Sequence, residues 1–316
     1  MTQTRPGVAL DPAVKTALDF MGNSPYADLE QMTLEQAMAI ARPCISPPPR
    51  PANSQDRTIE GYRDAATRVR LYFPEVTTSQ LPVVVYLHGG GFVGGTVEMD
   101  DARCQWFARN VECIVASVDY RLAPEHPFPI ALEDAFAAWK WVTANAAEFG
   151  GDAERCAISG SSAGGHIAVG ATLLARERRT PMPLLQLLTY PVLDPRRATN
   201  SYRDFGTGPF MTRARMEWYW KQYAGKPGDN TDLWNPLTAA AAGLPPAHVI
   251  TAEYDVLRDE GEAYAAHLNA AGIEATVERH AHMIHGFITI VPDHEASRSA
   301  LKNSAAALQK VFARPK

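Results

Sequence analysis

Apolar residues fall along this chain in two textures. RTIEGYR and ATRVRLYF alternate apolar and polar positions, which predicts an antiparallel strand pair at a sheet edge. Six short, nearly continuous apolar runs follow: LPVVVYLH (81–88), CIVASVDY (113–120), RCAISG (155–160), LLQLLTYP (184–191), AHVITAEY (247–254) and EATVERH (274–280). Strands buried on both faces have this texture. Stretches with helical spacing separate most of them, at 99–109, 130–148, 163–177, 260–271 and 295–313. Such alternation predicts an α/β fold, a mostly parallel sheet with helices on both sides.

Two regions break the rhythm. Residues 1–45 contain DPAVKTALDFM and TLEQAMAIA and read as a small helical appendage. The proline-rich RPCISPPPRPANS (42–54) cannot be helix interior and reads as an extended linker into a domain spanning 46–316. Residues 195–243 hold PRRATNSYRDFGTGPF and the aromatic helix MTRARMEWYWKQYA, more than a plain crossover needs. They read as an insertion after a strand's carboxyl end, where ligand sites of open α/β sheets lie.

Composition narrows the function class. A chain of 316 residues with 46% hydrophobic and 21% charged residues has ample material for one large core plus an added segment. A net charge of −5 without a basic run argues against a nucleic-acid partner. No run approaches the roughly 20 apolar residues of a membrane span, and the N-terminus lacks the charged-then-apolar order of a signal peptide. Cysteines 44, 104, 113 and 156 have no metal-ligand spacing and read as reduced thiols of a cytoplasmic protein.

The stretch ISGSSAGGHIA (158–168) carries the chemistry. G-x-S-x-G is met by Gly160, Ser162 and Gly164, after a strand and at the start of a helix. That context presents the central serine, Ser162 rather than Ser161, on a strained turn above the sheet as a nucleophile. In LHGGGFVGGT (87–96), three consecutive glycines after a strand leave amides free to face a ligand. The Gly90 and Gly91 amides, with Ala163 as third donor, are candidates to hold an oxyanion. A phosphate loop is the rival, but G-K-[ST] is missing.

Among nine histidines, His285 is the candidate base, with His282 its rival. His166 reads as a packing or surface residue and His88 as a support for the glycine loop. A zinc site from His280, His282 and His285 has no supporting Cys or H-E-x-x-H. Asp255, directly after a strand, is the candidate acid; Glu253 and Asp259 are its rivals, the latter explained by helix N-capping. The order Ser162, Asp255, His285 is the α/β-hydrolase order. Phe92, Tyr190, Phe210, Met211 and Trp218 are candidates to line an apolar substrate pocket, with helix packing the alternative for Trp218 and Trp220.

HGGG (88–91), DYRLAPEHPFPIALED (119–134), GSSAGG (160–165), DVLRDEG (255–261) and HMIHGF (282–287) together resemble the hormone-sensitive-lipase-like carboxylesterases over about residues 55–313. The resemblance implies an α/β-hydrolase fold with an eight-stranded sheet. It also implies a helical cap built from the N-terminal helices and the insertion after the sixth strand. It implies hydrolysis of short- to medium-chain acyl esters by Ser162, Asp255 and His285, with Gly90, Gly91 and Ala163 as oxyanion donors and no cofactor or metal. Dimers through the last strand and helix are common in such enzymes, although Glu278, Arg279 and His280 equally suit protection of an edge. Asp or Thr usually precedes the nucleophile in this family; here the residue is Ser161. Asp119, Arg121 and Glu125 are expected to form one buried ionic network below the site. A non-catalytic receptor on the same fold would be expected to lack one of the triad residues, and a peptidase would commonly need a further domain.

Overall fold

The computed structural model describes residues 8–21, 31–42, 48–75, 80–224 and 231–313. Among them eight strands form one sheet: β1 (Ser54–Glu60), β2 (Ala66–Tyr72), β3 (Leu81–Leu87), β4 (Ile114–Asp119), β5 (Gly151–Ser161), β6 (Gln186–Thr189), β7 (Ala247–Tyr254) and β8 (Ala275–Ile284). Their order is β1-β2-β4-β3-β5-β6-β7-β8. β2 pairs antiparallel with both β1 and β4, and every later pairing is parallel. The alternating and continuous textures therefore map onto the antiparallel edge and the parallel centre.

The pleat sorts side chains between two cores. Val83, Val85 and Leu87 of β3 face one cluster, while Val84 and Tyr86 face the other. The first cluster is covered by α4 (Ile130–Asn145), α5 (Ala163–Glu177) and α9 (Arg258–Ala270). The second is covered by α3 (Asp101–Val111) and α11 (Glu295–Phe312). Cys104, Cys113 and Cys156 are buried and free, and burial pushes their thiols up, Cys156 to about 12. Cys44 lies outside the described residues, as does part of the linker.

Two regions lie over the carboxyl ends of the strands. Before β1 come α1 (Pro12–Met21) and α2 (Leu34–Ala41), the latter opened by a Thr33–Gln36 capping box. Between β6 and β7 come α6 (Asn200–Phe205), α7 (Arg213–Tyr223) and α8 (Thr231–Trp234). α7 buries Met216, Trp220 and Tyr223, spaced four and three apart, so one stripe of the helix is apolar. Trp220 and Tyr223 pack against Phe92 of the glycine loop at 5.4 and 3.9 Å between ring centres. The strand expected at 274–280 continues to Ile284 and is followed by a short helix α10 (Phe287–Ile290). None of the helices among the described residues is long and apolar enough to cross a membrane.

The expected Asp119–Arg121–Glu125 network is not formed. Arg121 pairs with the fully buried Asp134 at 2.7 Å, Asp119 with Arg68 at 3.0 Å, and Glu125 with Arg42 at 2.9 Å. The reason is that 119–125 leaves a strand and turns, so the three side chains diverge onto three different elements. Arg121 also donates to the Tyr62 carbonyl at 2.8 Å, tying this turn to the β1–β2 connection.

Candidate active site

Ser162 sits between the end of β5 and the start of α5 with φ 55° and ψ −120°. That conformation is strained for a residue with a side chain and persists only where its surroundings fix it. Its amide donates to the Thr189 carbonyl of β6 at 2.9 Å, and its carbonyl accepts from the Gly165 and Val192 amides. A Cβ at Gly160 would lie 2.1 Å from the Gly164 carbonyl oxygen, and one at Gly164 would lie 2.1 Å from that of Leu87. Only glycine permits this packing of helix start against strand ends.

His285 follows β8 directly, and Gly286 (φ 75°) turns the chain into α10. Its Nε2 lies 3.0 Å from Ser162 Oγ and its Nδ1 lies 2.8 Å from Asp255 Oδ2. Asp255 follows β7, and its other carboxylate oxygen accepts from the Leu257 amide at 3.0 Å. All three residues are buried, with 8%, 4% and 1% of their surfaces exposed for Ser162, His285 and Asp255. Hydroxyl, imidazole and carboxylate thus form a chain sheltered from water, the arrangement a nucleophile–base–orienter set requires.

The rivals face elsewhere. His282 is exposed, its Nδ1 is 2.9 Å from the Ala9 carbonyl, and its amide donates to Glu253 at 2.7 Å. His280 pairs with Glu278 at 3.0 Å, so His280, His282 and His285 point at three different partners. Asp259 does not cap α9, whose N-cap is Leu257; it accepts from the Ser201 amide at 2.7 Å and so fastens α6. Nearby Glu260, missed in the sequence, is fully buried and accepts from the Leu193 amide at 2.7 Å. Burial raises its carboxyl well above the usual range.

The glycine loop lies against the elbow. A Cβ on Gly89 would stand 3.6 Å from that of Ser162. Gly90 turns with φ +130°, its carbonyl engaged by the Val93 and Gly94 amides. His88 stacks on Tyr120 at 4.3 Å, and its Nδ1 lies 2.8 Å from the Gly89 carbonyl. The Tyr120 hydroxyl donates to the His88 carbonyl at 2.7 Å. Arg42, at the end of α2, donates to the Val93 carbonyl at 2.6 Å, and the ring of Tyr219 on α7 covers Gly91 so closely that a Cβ there would be 2.3 Å from it. Neither Arg42 nor Tyr219 was legible in the sequence. Arg42 acts across 51 residues, and three neighbouring aromatics in EWYWKQY offer no sign of which one reaches the loop.

The candidate pocket residues divide. Tyr190 and Phe210 have ring centres 4.7 and 6.4 Å from that of His285. Trp218 is half-buried on α7 with its ring on Tyr219. Phe92 and Met211 are buried in the main core, and Tyr190, at 3% exposure, is buried in the cluster that holds Phe287 and Tyr254. Phe92 has φ 69°, and its ring packs on Tyr223 and His166. His166 is fully buried among these rings with Nδ1 3.2 Å from the Val192 carbonyl, and burial lowers its pKa to about 4.

Comparison with known proteins bears on this geometry. An alpha/beta hydrolase fold family matches residues 84–289. Carboxylesterase NlhH of Mycobacterium tuberculosis is 37% identical over 98% of this chain and 99% of its own. The ethyl acetate hydrolase of Pseudomonas putida is 36% identical over 77% and 78%. Among solved structures, an ester-hydrolase from the metagenome of Lake Arreo, in complex with a bipyridine phosphonate derivative, is 36% identical with a TM-score of 0.87, covering 97% of this chain and 100% of that one. The esterase of Pyrobaculum calidifontis is 37% identical with a TM-score of 0.83, over 95% and 98%. With motifs, sheet order and relatives in agreement over nearly its whole length, the chain belongs to the hormone-sensitive-lipase-like group of the α/β hydrolases and is a carboxylic ester hydrolase.

Proposed function

We propose that this enzyme cleaves short- to medium-chain acyl esters through an acyl-enzyme on Ser162. The unbroken chain from Ser162 Oγ through His285 to Asp255 carries the reading. His285 Nε2 takes the hydroxyl proton as Ser162 attacks the ester carbonyl. The amides of Gly90, Gly91 and Ala163 receive the developing oxyanion, Ala163 from the positive end of α5. The imidazolium then protonates the departing alcohol. Water enters, loses its proton to His285, and releases the acid. Asp255 holds the imidazole in the tautomer with Nδ1–H and balances its transient charge.

α2 and α7 reach the glycine loop through Arg42 and Tyr219, so the two helical regions form the cap that closes the site. Tyr190, Phe210 and Trp218 line the acyl or alcohol side, and these bulky rings limit chain length. The buried free thiols Cys104, Cys113 and Cys156 suit a reducing compartment such as the cytoplasm.

The test is a p-nitrophenyl ester series from short to long acyl chains with wild type and Ser162→Ala. Wild type should be most active at the short end, and Ser162→Ala should lose turnover by roughly a million-fold while keeping its thermal midpoint. A variant with near-normal turnover overturns the assignment. A maximum at the longest chains overturns the substrate class.

A further inference from the structure

Arg103 lies on α3, beneath the site, and no step above uses it. One tenth of its side chain reaches solvent. A guanidinium keeps its charge at any working pH, and burying it is costly unless its donors are used. The Asp100 carboxylate at 3.3 Å neutralises it. Its other partners come from distant parts of the chain. One N–H donates to the Tyr86 hydroxyl at 2.8 Å, and another donates to the Thr289 hydroxyl at 2.7 Å. The Tyr190 side chain lies beside both Arg103 and Thr289.

Each of these partners leads to a reacting group. Tyr86 accepts from the guanidinium, so its own proton is available to Ser161 Oγ, 3.3 Å away and one residue before the nucleophile. Thr289 stands on α10, four residues past His285, across the Gly286 turn. The Tyr190 ring packs 4.7 Å from the imidazole.

We propose that Arg103 is a positioning residue that sets the spacing between Ser162 Oγ and His285 Nε2. A single guanidinium holds the serine's elbow through Tyr86 and Ser161, and the base's loop through Thr289 and Tyr190. The planar fork suits this task, because its donors diverge at fixed angles and so fix two segments relative to one another. An ammonium has no such fork. The role rests on the proposed Ser162–His285 chemistry. It also gives Ser161 a function: a small neutral acceptor ends the network without adding a second anion beside Asp100.

The test uses the full chain, with active sites counted by exhaustive phosphonate labelling of Ser162. Arg103→Lys, Tyr86→Phe, Thr289→Val and the pair Arg103→Lys/Thr289→Val are compared with wild type. In Arg103→Lys, kcat per labelled site should fall roughly tenfold or more with KM within about twofold of wild type. Tyr86→Phe and Thr289→Val should each lose several-fold in kcat. Thr289→Val should add little to Arg103→Lys, because both cut the same tie. Because rates are counted per labelled site, misfolded protein does not imitate the effect. If Arg103→Lys fails to fold, the two single-arm variants decide. Unchanged kcat in both of them, multiplying losses in the pair, or an effect confined to KM or thermal midpoint overturns the proposal. A wild type that is neither labelled nor active on any ester overturns the catalytic reading itself, and this role with it.

Discussion

His282 and His285 are three residues apart and face opposite ways. His282 has φ 63° and meets the backbone of Ala9, while His285 turns inward between Ser162 and Asp255. His285→Ala should therefore cost roughly 10⁴-fold or more in kcat, whereas His282→Ala should stay within about tenfold of wild type; steady-state kinetics on one short ester checks both, and the reverse order reassigns the base. A third histidine sets a pH limit. His166 has its folded-state pKa lowered to about 4 by burial, against an ordinary value of 6.5. An unfolded chain then takes up a proton at higher pH than the folded one. The stabilisation is fully present above pH 6.5 and is lost as pH falls toward 4, by about 3 kcal/mol at most. Replacing His166 with Gln keeps a donor for Val192 and removes the titration. Urea midpoints from pH 7 to 4 should fall less steeply in that variant than in wild type, and parallel curves would refute the account. Ser162, Asp255 and His285, which the structure brings together, were legible in the sequence because each occupies a fixed place after a strand. The sequence did not reveal that His166 is buried, since helix position says nothing of what packs above it.

The glycine loop and α7 meet at Phe92, which packs on Trp220 and Tyr223, and at Gly91. Gly91 has φ +62°, and the Tyr219 ring occupies the space a side chain would need. Gly91→Ala should lower kcat by pushing the ring or the loop aside. Adding Tyr219→Ala should recover part of that loss, though not all, because a left-handed conformation still costs about 1 kcal/mol for alanine. An equal defect in single and double variants, measured as kcat/KM, would show that the ring is not the obstacle. At this scale the chain was legible where periodicity is strong: α5 and α11 lie within one residue of the stretches expected for them. The end of β8 was not, because AHMI lacks strand texture and is drawn into the sheet by Tyr254, which pairs with Ile284. The 119–125 turn failed for a related reason. Charge types can be read from sequence, but the element each one reaches cannot.

For the whole molecule, the notable tie joins the chain's beginning to its end. The Asp11 amide donates to the His282 carbonyl at 3.3 Å, the Ala9 amide donates to the Tyr254 hydroxyl at 3.1 Å, and His294 pairs with Asp11 at 3.2 Å. Val14 and Leu18 of α1 are buried in a cluster with Tyr254, Met283, Phe287 and Ile288. A sequence reading treats residues 1–45 as one appendage, yet α1 belongs with the loop that carries His285 and α2 with the glycine loop. Removing residues 1–21 should lower the thermal midpoint, since burial of Val14 and Leu18 alone is worth roughly 3–5 kcal/mol, and should reduce kcat more than KM. A truncated enzyme with unchanged kcat and midpoint would refute this coupling. The same tie has a consequence for biosynthesis. α1 leaves the ribosome long before the surface that receives it, which is synthesised together with His285. For most of translation Val14 and Leu18 have no place to bury, so the nascent chain offers chaperones an apolar helix.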